Sequence, residues 1–138
     1  MTDRDRQRLV GVHPKLVAAI ERILSRMSAL GFAMFVVQGL RTDQEQANIW
    51  AQGRTLPGKV VTMKDGIIHR SNHQTHADGF GHAVDCAFSG PIPFSDTWPW
   101  EKFGEAVEAE GLTWGGRWAH PHDSPHAELP DLVEPLKA

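Results

Sequence analysis

A chain of 138 residues with 41% hydrophobic content is long enough for one globular domain with a core of its own. Its 14 basic and 17 acidic side chains leave a formal charge of −3, and no basic run gathers them, so nothing favours nucleic acid or an anionic membrane surface as a partner. The single cysteine, Cys86, excludes an internal disulfide framework. No apolar run approaches the roughly 18 residues needed to span a bilayer, so no membrane insertion is expected.

Residues 1–12 are charged and polar, without the apolar stretch of an export signal, and read as a loose N-terminal arm to a single domain over 1–138. Pro14 suits the first position of a helix, and Leu16, Val17, Ile20, Ile23, Leu24, Met27 and Leu30 follow at helical spacing up to Gly31. Phe32–Val37 reads as a buried strand. Thr42 and Glu45 have capping-box spacing, which predicts a helix from there to about Gln52, with Gly53 as its stop. Arg41 therefore lies where a strand gives way to a helix. Lys59–Met63, the turn at Lys64-Asp65-Gly66 and then Ile67-Ile68 suggest a hairpin. Ala83–Phe88 reads as a strand, Trp100–Glu110 as an amphipathic helix, and Leu112–Trp114 and His126–Leu129 as short strands. Helices and strands do not alternate regularly. The expected class is α+β, a small antiparallel sheet with flanking helices.

Two clusters carry chemistry. Ser71–Phe88 packs His73, His76, His82, Asp78 and Asp85 among small residues, and Asp123–Glu128 adds Asp123, His126 and Glu128. A carboxylate inside an apolar strand, such as Asp85, is costly to bury without a partner, and a metal is one good partner. Strand alternation puts Gly81, Ala83 and Asp85 on one face and His82 on the other, so His82 is a poor co-ligand, whereas His73 or His76 can fold back over Asp85. A catalytic zinc usually takes three ligands of imidazole and carboxylate type, with a further carboxylate to accept a proton from water and a cation to stabilise an oxyanion. His13, His69, His120 and His122 are left aside as ordinary loop histidines. A Cys86 nucleophile is a competing chemistry, disfavoured by its apolar surroundings.

Four stretches, in order, resemble the zinc-dependent peptidoglycan peptidases of the D-alanyl-D-alanine carboxypeptidase superfamily, and most of all the L-alanyl-D-glutamate endopeptidases used as phage endolysins. They are Gln38-Gly39-Leu40-Arg41-Thr42; Glu45-Gln46 through Gln52-Gly53-Arg54-Thr55; Ser71-Asn72-His73 with Gly81-His82-Ala83-Val84-Asp85; and Trp114-Gly115-Gly116-Arg117-Trp118 with Asp123-Ser124-Pro125-His126-Ala127-Glu128. The resemblance implies a hedgehog-like carboxypeptidase fold and Zn2+ as cofactor. It implies His73, Asp85 and His126 as metal ligands, Asp123 as the base that activates water, and Arg41 as a substrate or oxyanion partner. Gln38, Gln46 and Trp114 fall where substrate contacts are expected. The substrate implied is the peptide stem of peptidoglycan, cut at the L-alanyl-D-glutamate bond, by a monomer made in a phage-infected host's cytoplasm and released to the wall for lysis. A D,D-carboxypeptidase or dipeptidase of the same superfamily, or a non-catalytic zinc-stabilised wall-binding module, are the alternatives. One departure stands out: His73 precedes Asp85 by twelve residues against seven in the family's SxHxxGxAxD motif, consistent with a five-residue insert, His76–Phe80. His76 is accordingly the rival ligand, and Glu128 the rival base.

Overall fold

The computed structural model describes residues 1–119 and 122–130, which leaves His120 and the tail after Pro130 outside the described residues. Among the described residues the architecture is four α-helices, a short 3-10 helix at Gly115–Arg117 and a four-stranded antiparallel sheet. Helix α1 spans Asp3–Arg8, α2 Pro14–Ala29, α3 Asp43–Ala51 and α4 Trp100–Ala109; strands are β1 Met34–Gln38, β2 Ala83–Phe88, β3 Thr113–Trp114 and β4 His126–Glu128. The strand order is β1-β2-β4-β3. A small antiparallel sheet flanked by helices is what the sequence predicts.

Pro14 opens α2 and the His13 ring accepts the Lys15 N–H as its N-cap. Leu16, Ile20, Ile23 and Met27 then fall on one stripe, each at most 1% exposed. With Phe103 and Val107 of α4 they close over Val36, Val84, Cys86 and Phe88 from the sheet. Burying each such side chain stabilises the fold by about 1.5–3 kcal/mol. Thr42 and Glu45 form the predicted capping box on α3. β1 has a register irregularity between Val36 and Gln38, which sets Gln38 opposite Asp85, and β2 sets Asp85 opposite His126. One row across three strands thus carries Gln38, Asp85 and His126.

Two expectations are corrected. The N-terminal arm is not loose. Thr2 and Asp5 form a reciprocal capping box, and the Asp5 carboxylate also accepts the Val36 N–H at 2.9 Å while Arg8 donates to the Val36 carbonyl at 2.7 Å. α1 therefore satisfies the outer edge of β1, which would otherwise present unpaired backbone groups. The hairpin over 59–68 does not form, and residues 59–70 contain no strand. Asp65 Oδ1 instead accepts the N–H groups of Ile67, Ile68 and His69, folding a compact turn. Gly66 sits there at φ +88, with a Cβ position only 2.8 Å from the Gln46 side chain. No helix among the described residues is long and apolar enough to cross a membrane.

Candidate metal centre and cleft

Cross-strand pairing gives the site its first two members, since Asp85 and His126 are direct neighbours on β2 and β4. The loop before β2 supplies the third. His73 Nε2 lies 3.3 Å from Asp85 Oδ2 and 3.3 Å from His126 Nδ1, and His126 Nδ1 lies 3.2 Å from Asp85 Oδ1. One potential ligand atom from each residue lies within 4.8 Å of the other two.

The outer partners fix both tautomers. His73 Nδ1 faces the Gly39 carbonyl at 2.9 Å, which can only accept, so Nε2 keeps its lone pair. His126 Nε2 faces Glu128 Oε1 at 2.7 Å, and Glu128 Oε2 accepts from the Asn72 amide at 2.6 Å. With Nε2 donating to Glu128, Nδ1 of His126 also offers a lone pair. Two imidazole lone pairs and a carboxylate pointing at one another need a positive centre between them. A proton can serve: burial opposes charge on His126, but Asp85 and Glu128 outweigh it and push its pKa up to about 10. Burial also opposes charge on Asp85, yet the two histidines hold its pKa far below the usual carboxylate range. A divalent ion of zinc's preference serves better, because two nitrogens and an oxygen, each oriented from behind by a hydrogen bond, match its donor set.

Asp123 stands at the rim, its Oδ2 3.6 Å from His126 Nδ1 and its side chain 38% exposed. Burial, reinforced by the Asp85 charge, raises its pKa. Gly115 makes this approach possible: a Cβ there would sit 2.5 Å from the Asp123 carbonyl oxygen and 2.9 Å from His126 Cβ. On the other side, Arg41 reaches 4.0 Å from Asp85 Oδ2. Its Nε and Nη2 donate to Gln38 Oε1 at 3.2 and 2.8 Å, and its Nη1 donates to Gln46 Oε1 at 2.8 Å. Gln38 and Gln46 were expected to touch substrate, but their amide oxygens hold Arg41 in place, and Gln46 is fully buried. Trp114 was placed in the same group. It is 4% exposed and belongs to the core, its ring so close to Gly104 and Gly116 that a Cβ at either would lie near 2 Å from it. Its indole N–H donates to the Ser124 carbonyl at 2.8 Å and so steadies the Asp123–His126 turn.

The remaining histidines of the cluster lie elsewhere. His82 Nε2 is 2.8 Å from Asp78 Oδ2, His76 stacks on His82 at 3.7 Å, and His13 Nε2 lies 3.8 Å from the same Asp78 oxygen. The insert thus packs against the start of α2, and His73 rather than His76 joins Asp85. Glu128 is committed to His126 and Asn72, which leaves Asp123 as the carboxylate at the rim. Cys86 is fully buried and burial raises its thiol pKa, so it offers no nucleophile. Sequence reasoning missed Asn72, Gly115 and Trp118, whose ring lies 5.0 Å from that of His126. Asn72 and Gly115 stand beside motif residues, which was the available signal.

A cleft of about 330 Å³ opens over the three converging residues, bordered by Arg41, Lys64, Asn72, Trp118, Asp123 and Glu128. A cleft with a metal-sized donor set at its floor, a carboxylate of raised pKa at its rim and a guanidinium beside it has the equipment of a metal-dependent hydrolase. Comparison with known proteins narrows that class. Residues 66–129 match the profile of the family described as D-alanyl-D-alanine carboxypeptidase. The peptidoglycan L-alanyl-D-glutamate endopeptidase CwlK of Bacillus subtilis (strain 168) is 26% identical over 129 residues, 86% of this chain and 73% of CwlK. The crystal structure of the Serratia marcescens L-Ala D-Glu endopeptidase ChiX matches with a TM-score of 0.63 at 27% identity, over 94% of this chain and 89% of ChiX. A mutant of the vancomycin-resistance D,D-pentapeptidase VanY in complex with Zn(II) shares the fold, with a TM-score of 0.59 at 16% identity over 86% of this chain and 72% of VanY. Over residues 66–129 this chain is similar to the D-alanyl-D-alanine carboxypeptidase family, and over most of its length to two L-alanyl-D-glutamate endopeptidases.

Proposed function

We propose that this chain is a zinc-dependent endopeptidase that cuts the peptide stem of bacterial peptidoglycan at the bond between L-alanine and D-glutamate. The observation that carries the reading is the convergence of His73, Asp85 and His126 beneath a cleft that also holds Asp123 and Arg41. Its support comes from two relatives named for that activity, CwlK and ChiX. His73 Nε2, Asp85 and His126 Nδ1 would hold the ion. A zinc ion supplies Lewis acidity, acidifying water and polarising the scissile carbonyl. Asp123 takes the proton of the attacking water, a task its raised pKa suits, and returns it to the leaving amine. Arg41, aimed by Gln38 and Gln46, offers N–H groups to the oxygen on which negative charge develops.

In the organism the role we assign is that of a phage endolysin, made in the host cytoplasm and acting on the wall at lysis. That assignment rests on the likeness of the four sequence motifs to those enzymes. A second reading, D,D-carboxypeptidase, is favoured by the description of the matching family and by the likeness to VanY. Purified protein incubated with sacculi distinguishes them. Mass spectrometry is expected to find new D-glutamyl N-termini, lost on complete metal removal and regained with zinc. Release of free D-alanine instead would establish the second reading, and unchanged activity in the metal-free protein would overturn both. Production of the chain inside a bacterium together with a membrane-permeabilising agent is expected to cause lysis, and intact cells would rule out the endolysin role.

A further inference from the structure

We infer that Lys64 forms a carboxylate subsite in the cleft, which binds the acidic group of the glutamyl residue beside the scissile bond. The inference rests on the endopeptidase reading above. A glutamyl residue in a peptide uses one carboxyl in the chain and keeps the other free. At neutral pH the cleft must therefore accept a second negative charge close to the reacting carbonyl. Asp85, Asp123 and Glu128 already line that cleft, so the substrate charge needs a cation that is not yet committed.

Only two side chains among the cleft's described residues carry a permanent positive charge, Arg41 and Lys64. Arg41 is held by Gln38 and Gln46 beside Asp85, and its remaining N–H groups are assigned above to the reacting oxygen. Lys64 is different. Its backbone is pinned on both sides: the carbonyl accepts from Gln46 Nε2 at 2.7 Å, and the N–H donates to Thr62 Oγ1 at 3.1 Å. Its ammonium takes part in no ion pair or hydrogen bond among the described residues. Gln46, fully buried, donates to the Lys64 carbonyl through Nε2 while Oε1 accepts from Arg41. One side chain thereby sets the spacing between the guanidinium beside the donor set and the stem of the free ammonium.

The test uses the full-length zinc-loaded protein and two synthetic peptides that contain the L-alanyl-D-glutamate bond. They differ only in the free glutamyl carboxyl, left as the acid in one and converted to the amide in the other. Wild type is expected to prefer the acid by about threefold in kcat/KM, mostly through KM. In Lys64→Gln the acid-to-amide ratio should collapse towards one, and in Lys64→Arg it should be restored. A ratio that survives in Lys64→Gln, or a wild-type enzyme that cuts both peptides equally well, overturns the subsite and leaves the endopeptidase reading intact. A wild-type enzyme that cuts neither peptide overturns that reading and the subsite with it.

Discussion

At the scale of single residues the site separates groups that react from groups that aim. Among the described residues Asp123 is the only carboxylate at the rim not engaged from behind, whereas Glu128 is held between His126 and Asn72. Asp123→Asn should therefore reduce kcat by about 10²–10⁴-fold while the protein still binds zinc stoichiometrically. Glu128→Gln should do the reverse, weakening zinc by about 10–100-fold through loss of the charge that orients His126. Metal titrations alongside rates at saturating zinc check both, and equal loss of rate with unaltered affinity in Glu128→Gln would reverse the assignment. Much of this was legible in the sequence, because Asp85 in an apolar strand demands a partner. The choice between His73 and His76 was not. It depends on Gly39 and Arg41, more than thirty residues away in the chain, whose backbone groups bond the His73 ring and carbonyl.

At the scale of elements, periodicity found α2, α3, α4 and the long strands, and it failed where an element is justified by something distant. α1 has no apolar repeat. It exists because Thr2 and Asp5 cap it and because Asp5 and Arg8 serve the edge of β1. The spacing of Thr2 and Asp5 was the available sign. The segment 59–68 has the β-branched residues of a hairpin, yet its backbone is recruited by the side chains of Gln46, Arg54 and Asp65, which no local pattern reveals. Asp5→Ala should destabilise the protein by about 1–3 kcal/mol, since it leaves the Val36 N–H without its partner. Denaturant unfolding measures this, and a change within about 0.5 kcal/mol, the range of ordinary surface substitutions, would mean that α1 is dispensable to the sheet.

At the scale of the whole molecule, the His13, His76, His82 and Asp78 group fastens the insert before β2 to the start of α2. Backbone bonds from His13 to the Gly81 carbonyl and from Gly81 to the Gly11 carbonyl run alongside it. Burial lowers the pKa of His13, helped by the charges of His82 and Lys15 and opposed by Asp78; burial also lowers that of His76. At these two histidines the unfolded chain takes up protons below about pH 6.5 that the folded chain refuses, so their contribution to stability is full above that value and is lost as the solution is acidified. The melting temperature should drop between about pH 7 and about pH 5. His13→Asn, which keeps an N-cap acceptor but removes an imidazole, should lessen the drop. An identical pH slope in the variant would exclude His13 as a source.

The row that sets Gln38, Asp85 and His126 side by side has a practical corollary for anyone preparing the protein. A one-residue slip of β2 against β4 would turn Asp85 to the opposite face and separate it from His126. Chains trapped in a wrong pairing would thus forfeit tight zinc. The tightly bound zinc content of a refolded batch, per mole of chain, counts the molecules whose strands have found their proper partners.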